Sequence, residues 1–65
     1  MREWLTEARK KRGLTQVEVS RRIHVTPAAY FGYEHGHYAP KPATAKRIAS
    51  VLGIDWTRFY DEPAP

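Results

Sequence analysis

Residues 15–36 read TQVEVSRRIHVTPAAYFGYEHG, and the order of turn-forming and apolar residues within this stretch decides the fold. Thr15 and Glu18 stand at the spacing of a capping box: the Thr15 hydroxyl can accept from the Glu18 amide, and the Glu18 side chain can reach back to Thr15. Leu14, just before the cap, faces Val19 at the staple position. Val19 and Ile23 supply an inner face, which predicts a short helix ending near Ile23 or His24. A second start follows at once, with Thr26 as N-cap and Pro27 at the first helical position, where a missing amide costs nothing. Tyr30 and Tyr33 then face inward with Val25, and Gly36 stops the helix. A glycine inside that helix, Gly32, costs about 1 kcal/mol relative to alanine. Either a close backbone approach requires it or the helix simply tolerates it.

Working outward, the first helix is expected from about Arg2 to Arg12. Trp4, Leu5 and Ala8 form its apolar stripe, and Glu3, Glu7, Lys10 and Lys11 lie mostly outside. Gly13 supplies the left-handed residue beyond its end. Residues 37–41, HYAPK, read as a loop, and Pro42 opens a fourth helix with Ala45, Ile48, Ala49 and Leu52 on one face and Gly53 at its end. IDWTRFY (54–60) predicts a last short helix capped by Asp55. No segment alternates with period two, so the expected class is all-α: a compact domain of five helices over residues 1–60, with 61–65 as a frayed acidic tail.

The chain has 65 residues and no cysteine. It makes one small domain with a thin core, without disulfides or thiolate metal sites. Its net charge of +4 is uneven: residues 1–50 hold ten Lys and Arg against four acids, and residues 51–65 hold one Arg against three. A basic body suggests a polyanionic partner such as nucleic acid, or else a solvated basic surface. No apolar run nears the roughly 18 residues of a membrane span, and MREWLTEARK does not read as a signal peptide. A cytoplasmic location without membrane contact is therefore expected. No nucleophile–base pair, glycine-rich phosphate loop or acid–base pair stands out, so neither enzyme activity nor a cofactor is expected. His24, His35 and His37 fit hydrogen bonding better than a metal site.

Two short helices joined by a tight turn are the layout of a helix-turn-helix unit. The run ARKKRGLTQVEVSRRIHVTPAAYFGYEHG (8–36), followed by Pro40 and AKRIASVLGIDWTRFY (45–60), resembles the lambda-repressor-like helix-turn-helix domains, the Xre and phage-repressor family. The likeness covers about residues 3–60. It implies a five-helix DNA-binding domain whose third helix enters the major groove while the second lies across the backbone. Arg9 and Glu34 match a charged pair that the family often buries between helices 1 and 3. Ser20 stands where a small alanine is usual, and His24 where a glycine is usual. Histidine takes a positive φ less readily than glycine.

The resemblance places Gln16, Thr26, Pro27, Ala28, Phe31 and Gly32 at the bases or groove. Gln16 would touch a phosphate, an adenine edge or the head of helix 3. Phosphate contacts are expected from Thr15, Arg21, Arg22, His35, His37, Tyr38 and Lys41. The head of helix 3 offers no bidentate Arg–guanine or Gln–adenine contact. Ala28 and Phe31 can pack on thymine methyls, or small residues can leave reading to DNA shape; Phe31 can also tuck against a neighbouring helix. Trp56, Phe59 and Tyr60 are the candidate dimer surface. The implied function is a sequence-specific transcriptional regulator, of repressor type, binding double-stranded DNA at a palindromic operator as a homodimer. The alternative is a protein-interaction module on the same fold, such as an antirepressor, meeting a protein partner instead of bases.

Overall fold

The computed structural model describes residues 1–61. It holds four α-helices, α1 (Glu3–Lys11), α2 (Gln16–Arg22), α3 (Pro27–His35) and α4 (Pro42–Leu52), and a terminal 3-10 helix, Trp56–Tyr60. There is no strand among the described residues. The expected all-α class is correct, but the fifth helix is a 3-10 turn and not an α-helix. WTRFY is too short to gain from α-helical cooperativity, and the Asp55 carboxylate draws it tight by accepting from both the amide and the hydroxyl of Thr57, at 2.9 and 2.7 Å. Most of the tail expected at 61–65 lies outside the described residues; Asp61 closes the 3-10 helix.

Each helix start follows from local chemistry. The capping box forms at α2, with the Glu18 amide donating to Thr15 Oγ1 at 3.1 Å and the Thr15 amide to Glu18 Oε1 at 3.0 Å. These bonds hold the Glu18 carboxyl below its usual range. Thr26 Oγ1 accepts from the Ala29 amide at 3.1 Å, and Pro27 takes the first position of α3. Pro42 does the same for α4, where Lys41 is the cap residue and makes no side-chain cap bond.

The core is one cluster of Leu5, Val19, Ile23, Tyr30, Ala45, Ile48, Leu52 and Phe59. Every helix contributes to it, so no helix is stable apart from its neighbours. Ser20, in α2, is fully buried and donates to the Val17 carbonyl at 2.7 Å, so its hydroxyl is satisfied inside its own helix. Phe59 corrects the expected dimer surface: it is 3 % exposed and meets Trp4 edge-on at 5.0 Å. A thin core needs its bulk, so it is spent inside. Trp56 is half-buried. Tyr60 is 45 % exposed, yet its hydroxyl donates to the Pro40 carbonyl at 2.7 Å, tying the 3-10 helix to the loop after α3.

The turn between α2 and α3 sets the angle at which α3 leaves the body. His24 takes φ 63°, the left-handed region, and no other residue but glycine does so among those described. Its amide donates to Arg21 at 3.3 Å and that of Val25 to Ser20 at 3.0 Å. This is the paired closure of a Schellman end, usually made with glycine. The same pairing ends α1, through Gly13 and Leu14. From α4, Arg47 Nη1 donates to the Ile23 carbonyl at 3.3 Å and braces the turn. His24 is exposed, so its side chain contributes little to offset the strain of a β-carbon in this conformation. Replacing His24 with glycine is expected to hold or raise stability, by up to about 1 kcal/mol after the added freedom of the unfolded chain is counted. A thermal melt checks this; a fall of several degrees would mean that the imidazole makes stabilising contacts.

Candidate nucleic-acid interface

α3 has two faces of opposite character. Tyr30 and Glu34 are fully buried, and Tyr33 is half-buried beside them. On the other side Pro27, Ala28 and Phe31 are exposed. Phe31 does not tuck against another helix. It is 43 % exposed and stacks on His35, one turn along, with ring centres 3.8 Å apart and planes at 26°. His37 meets the Phe31 ring edge-on at 6.3 Å. The result is an aromatic ridge along α3 with imidazole at its C-terminal end.

Glu34 is the point at which α3 is fastened. Arg9 Nε donates to Oε2 at 2.6 Å, while Oε1 accepts from Thr6 Oγ1 at 2.8 Å, Gln16 Nε2 at 3.1 Å and Arg9 Nη2 at 3.3 Å. Arg9 Nη1 also donates to the Leu14 carbonyl at 2.9 Å. One carboxylate therefore joins α1, the start of α2 and α3. Burial pushes the Glu34 carboxyl up, but the donors from Arg9, Gln16 and Thr6 outweigh it, and the group ends below its ordinary value of 4.5. The Tyr30 hydroxyl is buried next to this cluster without a well-formed hydrogen bond. Burial, with the Glu34 charge, pushes that phenol far up.

The structure places the expected contact residues unevenly. Thr15, Thr26, Pro27, Ala28, Arg21, Arg22, His37, Tyr38 and Lys41 are exposed, and His35 is half-exposed. Gln16 differs: its amide nitrogen is turned inward to Glu34, so its carbonyl oxygen is the group left for an outside partner. Gly32 needs a correction. It is buried, because the Tyr38 ring lies over it and a β-carbon at Gly32 would collide with Tyr38 Cζ and Oη. A residue covered in this way is no part of the presented surface, and a β-carbon here would have to displace the Tyr38 ring.

Sequence reasoning missed Arg2 and Thr6. Arg2 is 7 % exposed; its amide donates to the Glu34 carbonyl at 2.7 Å, and Nη1 donates to the carbonyls of Tyr33 and Tyr38 at 2.6 and 3.0 Å. A signal for them existed. Arg2, Thr6 and Arg9 are spaced by four and three, which places them in one polar row on α1 beside its apolar stripe.

The family model described as helix-turn-helix matches residues 5–59. This chain belongs to the helix-turn-helix family. It is a DNA-binding transcriptional regulator of that family. It is 37 % identical over 62 residues to the uncharacterized HTH-type transcriptional regulator YqaF of Bacillus subtilis, covering 95 % of this chain and 82 % of the relative. It is 43 % identical over 53 residues to an uncharacterized HTH-type transcriptional regulator of Methanothermobacter thermautotrophicus, covering 82 % of this chain and 77 % of the relative. No solved structure gives a significant match.

The Glu34 cluster makes the stability of this helix-turn-helix protein depend on acid. The carboxyl binds a proton less tightly when folded than when unfolded. Its stabilisation is therefore complete above the ordinary carboxylate range and is lost as pH falls through that range to the lower folded value. Denaturant melts of the native chain should weaken below about pH 4.5. Glu34→Gln leaves Arg9 without its counter-charge and should cost about 3 kcal/mol at neutral pH, with a flatter acid limb. Equal stability of the two proteins at pH 7 would contradict the role given to the pair.

Proposed function

We propose that the chain is a repressor that inserts α3 in the major groove of a palindromic operator and binds there as a homodimer. The observation that carries this reading is the outward face of α3: Pro27, Ala28 and Phe31 are exposed on a helix that Glu34 holds rigidly from behind. An apolar face of this kind suits the methyl groups that thymine presents in the major groove, and small residues at the head allow close approach. Thr26 lies at the lip of the helix, where its hydroxyl can meet the groove edge.

The cations lie on either side of α3 in the chain. Arg21 and Arg22 end α2, and Lys41 follows the loop, all exposed. With Thr15, His35 and His37 they are suited to phosphates, which fix register without reading sequence. The Gln16 carbonyl can accept from a base amino group once its nitrogen is committed to Glu34. The molecule measures 29 × 21 × 20 Å. Two copies therefore fit side by side on half-sites about 34 to 36 Å apart, one helical turn of DNA. Trp56 and Tyr60 remain the candidate surface between copies. No helix among the described residues is long and apolar enough to cross a membrane. The reading places the protein with DNA in the cytoplasm, without catalysis of its own.

The experiment is selection of bound duplexes from a random pool, followed by titration at two salt concentrations. Enriched palindromes are expected, with affinity falling by tenfold or more between about 50 and 200 mM salt. Binding that stays flat across that range, or no enrichment of any duplex, would overturn the reading. Phe31→Ala should weaken the selected site by about tenfold and random duplex little, since removing a groove contact costs roughly 1 to 3 kcal/mol.

A further inference from the structure

The head of α3 carries no side chain able to hydrogen-bond a base edge beyond its cap, yet a phenol is laid along it from outside. Tyr38 lies in the loop after α3, and its ring covers Gly32, with Cε1 2.9 Å from the point where a β-carbon would stand. Its hydroxyl lies 3.5 Å from the Ala28 carbonyl, one turn nearer the head of the helix. The ring thus fills the strip between Ala28 and Gly32, where a long side chain at position 32 would otherwise lie.

This placement is fixed before any partner arrives. Arg2 Nη1 holds the Tyr38 carbonyl at 3.0 Å, and the His37 amide donates to the Gly32 carbonyl at 3.0 Å. The Tyr38 ring meets Tyr33 edge-on at 5.5 Å. Even so, the side chain of Tyr38 belongs to a residue that is 49 % exposed. Its contact with Ala28 is long for a hydroxyl donor. The hydroxyl therefore keeps both donor and acceptor capacity, and holding it in place beforehand reduces the entropy cost of binding.

We propose that Tyr38 is a specificity-determining residue: its ring stands in for the side chain that Gly32 lacks, and its hydroxyl contacts a base edge in the major groove. This rests on the reading of α3 as the helix that enters the groove. A phosphate contact is the competing use of the same hydroxyl. The location favours a base, because the hydroxyl lies along the outward face near Ala28 and phosphates line the rims of the groove. Exposed arginines and lysine are already placed to serve those phosphates. Gly32 is then required because any larger residue would evict the ring.

The test compares the native chain with Tyr38→Phe, which keeps the ring and removes the hydroxyl. Both are titrated with the selected operator and with random duplex, and duplexes are reselected with the variant. The ratio of specific to random affinity should fall about three- to tenfold, the worth of one hydrogen bond. The preference should relax at one base pair in each half-site. An unchanged ratio and unchanged preferences would overturn the proposal, and so would an equal loss on both duplexes, which marks a phosphate contact. Failure of the native chain to bind any duplex would instead remove the reading of α3, and this appears before any variant is compared. A melting-temperature cycle of Gly32→Ala and Tyr38→Ala checks the packing. Gly32→Ala should be less favourable in the native chain than in the Tyr38→Ala background, where helix propensity alone acts and the alanine should stabilise; additive effects would contradict the stand-in role.

Discussion

A single buried carboxylate holds this domain in working order. Glu34 accepts from Arg9, Thr6 and Gln16 while fully removed from water. A lone carboxylate there would be very costly, and the cost is offset because the donors come from α1 and the start of α2. The bond pattern therefore works as a geometric constraint. α3 can satisfy Glu34 only in one orientation, and that orientation turns Pro27, Ala28 and Phe31 outward. The same constraint explains why Gln16 is not a free reader: half of its amide is used to hold the helix that reads.

Around this point the chain economises. With so few residues to build a core, Phe59 is spent inside, and Tyr60, though exposed, anchors the loop at Pro40. Arg2 performs a similar task at the other end, gripping the loop that carries Tyr38. The loop after α3 is thus fastened from both chain ends, which is what allows one of its side chains to lie on α3 in a defined place.

Much of the fold was legible because it rests on local rules. The Thr15–Glu18 capping box, Pro27 and Pro42 at helix starts, and the left-handed residue after α1 depend on neighbours within a turn. The inward set of Val19, Ile23 and Tyr30 follows from helical spacing. The Arg9–Glu34 pair came from family resemblance, since nothing local links residues so far apart. What was not legible depends on contacts across the fold. Gln16 and Thr6 are ordinary polar residues until Glu34 is brought to them. Gly32 read as a small residue on the reading face because a loop tyrosine has no periodicity to reveal that it covers it. The terminal helix read as one more helix because pattern alone does not separate a tight 3-10 turn from a single α-turn.

The contact proposed for the apolar face of α3 is with thymine methyl groups in the major groove. Its most direct test replaces thymine by uracil, one position at a time, in an operator obtained by selection. The change removes a methyl group from the major groove and leaves base pairing and phosphates in place. At one or two positions per half-site, affinity should fall about fourfold for each methyl group that packs on the helix. Affinity that is unchanged by uracil at every position, on an operator that is still bound specifically, would contradict it.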